Sequence, residues 1–566
     1  MPFDTNHPIF QQPLMRWLIV VCVLTLIGSF VGAVSSWMGN GRRGLGNFGG
    51  IVSRGLADLV LLAPRRIYAL ATLTARESIR RKALWVGAVF LVLFMFAGWF
   101  IGDTTEATPA KPYISFVMTT IRWMLLPVAV LLACWGLPAD IRDRSLHTVV
   151  TKPVRRSEVV LGRIGGYVFV MSTLLLVVSS VGYLWVRRVV PERSQRQLIS
   201  RVPLYASGPG GKSTDIGFQM FNEQGESKDK NGNDYRGVNV GDLIELRRFI
   251  QGGTKERVTW DFRGLSAADF PADQEVRLEY AFEAFRSYKG DIDTEIQFSV
   301  TLVNSTSGLR VPMGATYSVN EFSSDVVHDL QKGETENLIS IPRSFTSGEG
   351  DDTKTIDLFR DVMDQGVLRL EIACIDASQY LGVNPTALFV RMPDRSFAIG
   401  YWKTIFAIWL LLVLVITIGT TASCILKGPV ATLATFGLLI LGSFLKDSLV
   451  ARLATYFSTD RQVVGGGSVE ALYRIITGMN ESSPLDDSLS KRVIETLDAG
   501  VYAMLYLAQY IIPDVRVFDG ALFTANGFDV PFDACILPSV LITLGFFIPA
   551  YIIGYFGLQV RELEAK

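Results

Sequence analysis

Seven apolar runs, each as long or nearly as long as a bilayer is thick, constrain this chain more than any other feature. They are 17–38, 84–102, 116–137, 164–186, 404–426, 428–446 and 536–559. A hydrocarbon core of about 30 Å needs roughly 20 apolar residues in a helix. Lipid offers the backbone no hydrogen-bond partners, so each run is predicted to be helical. The sequence therefore predicts a polytopic α-helical membrane protein.

The first run also has a feature of a secretory signal peptide, since the small residues Gly32, Ala33 and Ser35 lie near its end. Its length of about 22 residues and the Arg42-Arg43 pair that follows favour a retained helix instead. We therefore expect residues 1–39 to form an N-terminal membrane anchor.

Basic residues are distributed unevenly among the loops. The stretch 40–83 holds nine Lys and Arg and the stretch 138–163 holds six, whereas the loop 103–115 holds only Lys111. Basic loops remain in the cytoplasm, so both rich stretches are predicted to be cytoplasmic. The expected location is the cell (inner) membrane, with several crossings.

This orientation places 187–403 and 447–535 on the extracytoplasmic side of the membrane and the end of the segment 536–566 in the cytoplasm. Five arginines between 187 and 201 oppose it, because they follow the fourth run on its outer side. Long translocated domains obey the charge rule poorly, and we retain the assignment.

The block 187–403 changes to a two-residue periodicity. Val276, Leu278 and Tyr280 alternate with polar residues that include Glu279, and the stretches 296–302 and 368–374 alternate in the same way. Such alternation is typical of strands with one face in a core and the other in water, which makes the acidic residues solvated. Several strands of this kind predict an inserted extracytoplasmic antiparallel β-sandwich.

The second outer block, 447–535, has a different pattern. The stretches 468–478 and 486–512 read as helices, separated by polar loops. The apolar run 501–507 is too short to span a bilayer, so it predicts a helix lying on or dipping into the membrane surface.

Several function classes are disfavoured. The 54 basic and 54 acidic residues balance, which does not suggest a nucleic-acid partner. The five cysteines form no CxxC pair and the three histidines are far apart, so no metal site or catalytic set is indicated. Gly211-Lys212-Ser213 ends like a phosphate-binding loop but has Ala206 where the first glycine is required. We expect a chain that is not itself an enzyme.

The runs themselves carry few ionisable side chains. Arg122 is the main exception, and its position near the outer end of its run predicts that it snorkels to the interface. Ion-coupled carriers need intramembrane carboxylates, lysines or histidines. We therefore expect the energy source to lie outside the membrane.

The basic stretch 138–163 has a helical pattern of its own. Ile141, Ser145 and Thr148 recur at helical spacing, and Pro153 would end that helix. The result is a short amphipathic helix between two membrane helices. From its residues alone, it is equally a partner's docking helix or an ordinary basic loop.

At this point the sequence resembles the permeases of ABC-2 type transporters, with the layout of the multicopper-enzyme-maturation permease components. Their first intracellular loop has an acidic residue, a short helix and a Pro-x-x-Arg-x-Glu-like stretch that runs into Gly-Lys. The residues expected to form the ATPase-coupling loop are Asp140, Arg144, Thr148, Lys152, Pro153, Arg156, Ser157, Glu158 and Gly162. The amphipathic helix that leads into the second run carries Glu77, Arg80, Arg81 and Lys82.

The resemblance implies a six-helix core, which fits runs two to seven, plus the additional N-terminal helix. It also implies a dimer of permeases and a separate cytoplasmic ABC ATPase subunit. No cofactor is expected on this chain, since ATP and Mg would bind to that partner, and lipid is the remaining partner. The expected segments are 1–39, 40–83, 84–186, 187–403, 404–446, 447–535 and 536–566.

Two other hypotheses remain open. The chain is either a solute permease or an ATPase-driven force transmitter that moves its outer domain without carrying a solute. The third possibility is a polytopic scaffold or sensor with no ATPase at all. An ATPase partner supports the first two, and only a transport measurement separates them.

Overall fold

The computed structural model describes residues 21–22, 25–26, 29–30, 33–34, 37, 49–50, 52–55, 57–58, 60–80, 89, 110–142, 154–190, 198–208, 217–228, 232, 234–235, 237, 248–271, 274–286, 295–319, 328–329, 334–335, 337–347, 354–377, 379–457, 467–480 and 489–564. Within these ranges, five helices are long and apolar enough to cross a membrane. They are Ala110–Pro138, Arg156–Val189, Phe397–Ile425, Gly428–Leu445 and Phe532–Gln559.

These five helices coincide with five of the seven predicted runs. Four of them extend beyond the predicted run at one or both ends, and Gly428–Leu445 agrees with the run 428–446 to within one residue. The predicted span 84–102 lies outside the described residues, apart from one position, and so does more than half of 17–38.

The α-helices described in the structure follow one another in a simple order. They are α1 (Pro64–Arg80), α2 (Ala110–Arg142), α3 (Arg156–Val189), α4 (Phe397–Ile425), α5 (Gly428–Ile440), α6 (Lys446–Phe457), α7 (Ser468–Thr477), α8 (Leu489–Ile511), α9 (Ala521–Ala525) and α10 (Leu537–Glu564). A π-helical turn, Leu441–Leu445, joins α5 to α6, and another, Phe532–Ile536, precedes α10. The prediction of helices in this block is confirmed over 468–477 by α7 and over 489–511 by α8.

The span-length helices pack around one apolar core. It contains buried residues of α2, α3 and α4, for example Ile121, Tyr167 and Leu411, together with Leu558 of α10. Val515 and Phe518, from the segment between α8 and α10, belong to the same cluster. That segment therefore packs among the helices, and is not a loose external loop.

The strands lie between α3 and α4 in the chain. They are β1 (Ile199–Tyr205), β2 (Phe218–Phe221), β3 (Arg248–Gln251), β4 (Arg257–Arg263), β5 (Val276–Tyr280), β6 (Glu283–Arg286), β7 (Ile296–Val303), β8 (Arg310–Pro312), β9 (Tyr317–Val319), β10 (His328–Asp329), β11 (Glu334–Thr335), β12 (Leu338–Ile341), β13 (Ser344–Ser347), β14 (Lys354–Asp357), β15 (Val367–Cys374), β16 (Gln379–Val383) and β17 (Leu388–Ser396).

All strand pairs among the named strands are antiparallel. One sheet has the order β1-β17-β5-β12, a second β2-β4-β15-β7-β8 with β9 beside β7, and a third β3-β16-β6. Residues of all three sheets share one hydrophobic cluster, in which Leu370 of β15 lies opposite Trp260 of β4 and Leu302 of β7. The chain therefore has an antiparallel sheet domain with its own core, as the alternation predicted.

The sheet domain and the helices are joined directly. Strand β17 ends at Ser396, and α4 begins at Phe397 with no residue between them. On the other side of the insertion, α3 ends at Val189 and β1 begins at Ile199.

Candidate functional site

A buried carboxylate organises the beginning of α3, in the second half of the predicted coupling loop. Glu158 is fully buried, and its Oε2 accepts a hydrogen bond from the backbone N–H of Arg155 at 3.1 Å. Its Oε1 accepts another from the N–H of Ala63, also at 3.1 Å. The guanidinium of Arg66 lies 3.5 Å from Oε2. Glu158 thus caps α3 and holds the start of α1, where unpaired N–H groups favour an anion.

Asp58 brings the end of α10 to the same place. The hydroxyl of Ser157 donates to the backbone oxygen of Asp58 at 2.8 Å, and Tyr555 of α10 donates to its Oδ2 at 3.1 Å. Arg155 completes the cluster with Nε 3.5 Å from Asp58 Oδ1. Four parts of the chain therefore meet at one joint: the residues around 58, α1, α3 and α10.

Glycines allow α1 to pack closely against α3. A Cβ at Gly162 would lie 2.5 Å from Leu70 Cβ, and one at Gly166 would lie 2.5 Å from Thr74 Cβ. The spacing Gly162-x-x-x-Gly166 is the pattern that lets two helix backbones approach each other in membranes. Arg163 adds an ion pair to Glu77 of α1 at 3.0 Å.

The residues predicted for coupling are thus divided into groups. Ser157, Glu158 and Gly162 are buried, so they brace α1 and α3 and present no surface to a partner. Arg156 is half-buried at the first residue of α3, and Asp140 lies in the last turn of α2.

On the lead-in helix, Glu77 pairs with Arg163, and Arg80 is exposed at the last residue of α1. Six predicted residues lie outside the described part of the chain: Arg144, Thr148, Lys152, Pro153, Arg81 and Lys82.

A second charged site, at the junction of the sheet domain and the helices, was not predicted. Arg201 of β1 is buried, and its Nη1 donates to Glu279 Oε2 of β5 at 2.5 Å. Arg391 of β17 donates to the other oxygen of Glu279 at 3.1 Å. Glu279 was expected to be solvated because it alternates with apolar residues, but it is fully buried, since the charges of β1 and β17 cover that face.

Arg201 also binds the segment that precedes α10. Its backbone N–H donates to Gly527 O at 2.8 Å, its Nη2 donates to Asn526 O at 2.6 Å, and its guanidinium lies 4.3 Å from the ring centre of Phe528. The N–H of Asp529 donates back to Arg201 O at 2.8 Å. Residues 527–529 are therefore hydrogen-bonded to the edge strand β1, in the manner of an additional strand.

Asp529 carries the connection into α4. Its carboxylate accepts hydrogen bonds from Arg395, at the end of β17, and from Lys403, in the second turn of α4, both at 2.7 Å. The one signal of this site in the sequence was the run of arginines up to Arg201 that opposes the charge rule. Their partners are distant in sequence, so the pattern could not reveal them.

Arg122 differs from its prediction as well. It does not snorkel: it is buried, with Nη1 2.8 Å from Asp519 Oδ2 and Nη2 donating to Val515 O at 3.3 Å. Asp519 lies between α8 and α9, so the ion pair fastens this segment to α2. The carboxylate partner makes the burial of this arginine tolerable, so its guanidinium need not extend to water.

Among the residues that the structure describes, no group of three or more His, Cys, Asp or Glu is placed to hold a metal ion. No protein-family model, curated protein or solved structure matches this chain.

Proposed function

We propose that this chain is the membrane-spanning permease subunit of an ABC-type transporter in the inner membrane. A separate cytoplasmic ATPase, with its own ATP and Mg, would dock on the loop between α2 and α3, and a second permease copy would complete the transporter. The observation that carries this proposal is the joint at Glu158 and Asp58. A partner that moves the loop would move α3 and, through these two carboxylates, α1 and α10 together.

A specific contact favours a second function, that of a force transmitter. Asp529 binds Arg395 of β17 and Lys403 of α4, and β17 continues into α4 without an intervening residue. Motion of α4 would therefore be passed to the sheet domain. In that function the ATPase moves the outer domain, and no solute crosses.

The docking hypothesis is tested by co-purification. The full-length protein is isolated from its native membrane, and its cytoplasmic partners and their ATP turnover are measured. The double charge reversal Asp140→Lys with Arg144→Glu should abolish ATPase binding or stimulation. The control is Arg188→Glu, an exposed residue at the far end of α3, which should retain both. Unchanged ATPase binding and unchanged ATP turnover in the double variant would contradict the docking hypothesis.

Reconstitution separates the two functions. Vesicles with the permease and its ATPase should accumulate or release a solute when ATP is turned over. ATP turnover without movement of any candidate solute would favour force transmission. Purification that yields no ATPase would favour the scaffold or sensor hypothesis over both.

A further inference from the structure

Two helices after the fourth span-length helix present large apolar side chains to the outside. On α7, Ile475 is 79% and Ile476 75% exposed, and on α8, Leu489 is 81% and Met504 76% exposed. The exposed apolar residues of α8 recur at helical spacing along its 23 residues: Leu489, Val493, Leu497, Val501, Met504, Leu507 and Ile511. A stripe about 34 Å long is uncommon on a protein surface that faces water.

The two helices are also well packed against each other on a different side. Asp498 of α8 is buried, and its carboxylate accepts hydrogen bonds from the N–H groups of Val469 and Glu470 at 2.7 and 3.1 Å. It thereby caps the first turn of α7. Ile494 and Tyr502, one turn to either side, are buried too. The hairpin thus has a defined inner face, and the apolar stripe of α8 is a separate face.

The root of the hairpin lies at the end of a span-length helix. Lys446 directly follows the segment Gly428–Leu445, and its Nζ donates to the backbone oxygen of Ile512, just beyond α8, at 2.9 Å. Phe444, two residues earlier, is 65% exposed. Tyr506 and Tyr510 stand in the last turns of α8, with ring centres 5.5 Å apart. Tyrosines near a span end are typical of the membrane interface.

We infer that the α7–α8 hairpin lies in the interfacial layer of the bilayer, with the apolar faces of both helices in lipid. Lipid is the occupant because the neighbouring span also has an exposed apolar exterior, at Leu433, Ile440 and Phe444, and Lys446 ties the end of that span to the end of α8. The polar side of α8, with Arg492 and Glu495, would face the headgroups, as in amphipathic helices that lie in a membrane surface. The inference rests on the membrane placement proposed above, and it extends the surface helix predicted for 501–507 to α7 and to all of α8.

Spin labels in the full-length protein test it. In a Cys22→Ser background the other four cysteines are buried, so Ile475→Cys and Met504→Cys can be labelled selectively. Controls are Phe444→Cys in the span and Arg492→Cys on the polar side. In phosphatidylcholine vesicles, labels at 475 and 504 should resemble the label at 444, with high oxygen and low nickel-chelate accessibility. The label at 492 should show the opposite behaviour, with low oxygen and high nickel-chelate accessibility.

Three results would overturn the inference. Nickel-accessible labels at 475 and 504 with a lipid-exposed label at 444 would place the hairpin in water. Short distances between labels on two copies would assign the stripe to a contact between copies. A nickel-accessible label at 444 would remove the membrane placement itself, and the proposed function with it. Leu472→Cys and Val493→Cys provide substitutes if either first variant does not fold.

Discussion

Arg201 and Glu279 form a buried ion pair, with Nη1 2.5 Å from Oε2, at the point where the sheet domain meets the segment before α10. The pair shares its carboxylate with Arg391, and the arginine shares its guanidinium with two backbone oxygens, of Asn526 and Gly527. One buried acidic side chain thus bridges two arginines from different strands, and Asp394 supplies a second carboxylate to Arg391. Through Arg201, this carboxylate is connected to the segment that precedes α10.

Replacing Glu279 should destabilise the protein strongly. Glu279→Ala removes this carboxylate from Arg201 and Arg391, which remain buried. Removing one partner of a buried ion pair lowers the free energy of unfolding by about 3–5 kcal/mol. Chemical unfolding of the full-length protein in detergent measures the change. The control is Arg310→Ala, whose half-exposed side chain pairs with Glu371, with an expected loss of about 0–1 kcal/mol. Equal losses in the two variants would contradict this account of the junction.

The pH dependence of stability should include a contribution from the phenol of Tyr205, which lies beside the same junction. Burial raises the pKa of Tyr205 to about 12, and the nearby Arg201 partly opposes this shift. Because the folded state holds the phenol proton more tightly, the contribution is fully present below pH 10 and is lost as the pH rises through 12. The loss is at most a few kcal/mol, since one pKa unit corresponds to about 1.36 kcal/mol.

Tyr205→Phe retains the ring contact with Phe389 and removes the titrating group. Between pH 9 and pH 12, the Tm of the variant should therefore fall less steeply with rising pH than the Tm of the unaltered protein. Parallel curves for the two proteins would show that Tyr205 does not titrate with folding.

Three neighbouring glycines of α3 should respond differently to alanine. Gly162→Ala and Gly166→Ala place a Cβ 2.5 Å from a Cβ of α1, so α1 must move, at a cost of about 1–3 kcal/mol. At Gly165 the nearest atom is 3.7 Å away, and alanine there should stabilise the helix by up to about 1 kcal/mol. Unfolding midpoints of the three variants decide the matter. A Gly165→Ala loss equal to the others would disprove close packing as the cause.

The Arg122–Asp519 pair should show strong coupling. Asp519→Asn leaves a buried guanidinium without a counter-charge and should cost about 3–5 kcal/mol. The double variant Arg122→Met with Asp519→Leu removes both charges and should recover most of that loss. Unfolding of Arg122→Met, of Asp519→Leu and of the double variant, each compared with the unaltered protein, forms the cycle. Additive losses would mean that the two side chains act independently.

Local patterns predicted the elements well. The apolar runs identified five span-length helices, and the alternation at 276–280, 296–302 and 368–374 identified β5, β7 and β15. These features depend on residues close in sequence, for which the period of hydrophobicity is sufficient. The helix ends were less predictable: α2 continues through Pro127 and Pro138 to Arg142, beyond the apolar run.

The sites depended on distant partners. Glu279 follows the pattern of a solvated strand residue, and its burial is tolerable because Arg201, 78 residues earlier, and Arg391, 112 residues later, both approach it. Arg122 looked like a snorkelling residue because Asp519, the partner that neutralises it, lies almost 400 residues away in sequence. Glu158 was predicted as part of the coupling loop, yet it is buried and accepts a hydrogen bond from the backbone N–H of Ala63. Periodicity contains no information about such pairs.

The uninterrupted passage from β17 to α4 has a mechanical consequence. A helix of 29 residues is about 43 Å long and a strand of nine residues adds about 30 Å, so together they form a lever without a flexible joint. A tilt of α4 at its Ile425 end would therefore be passed along β17 as far as Leu388. Inserting a few glycines between Ser396 and Phe397 would convert that lever into a tether while leaving both parts folded.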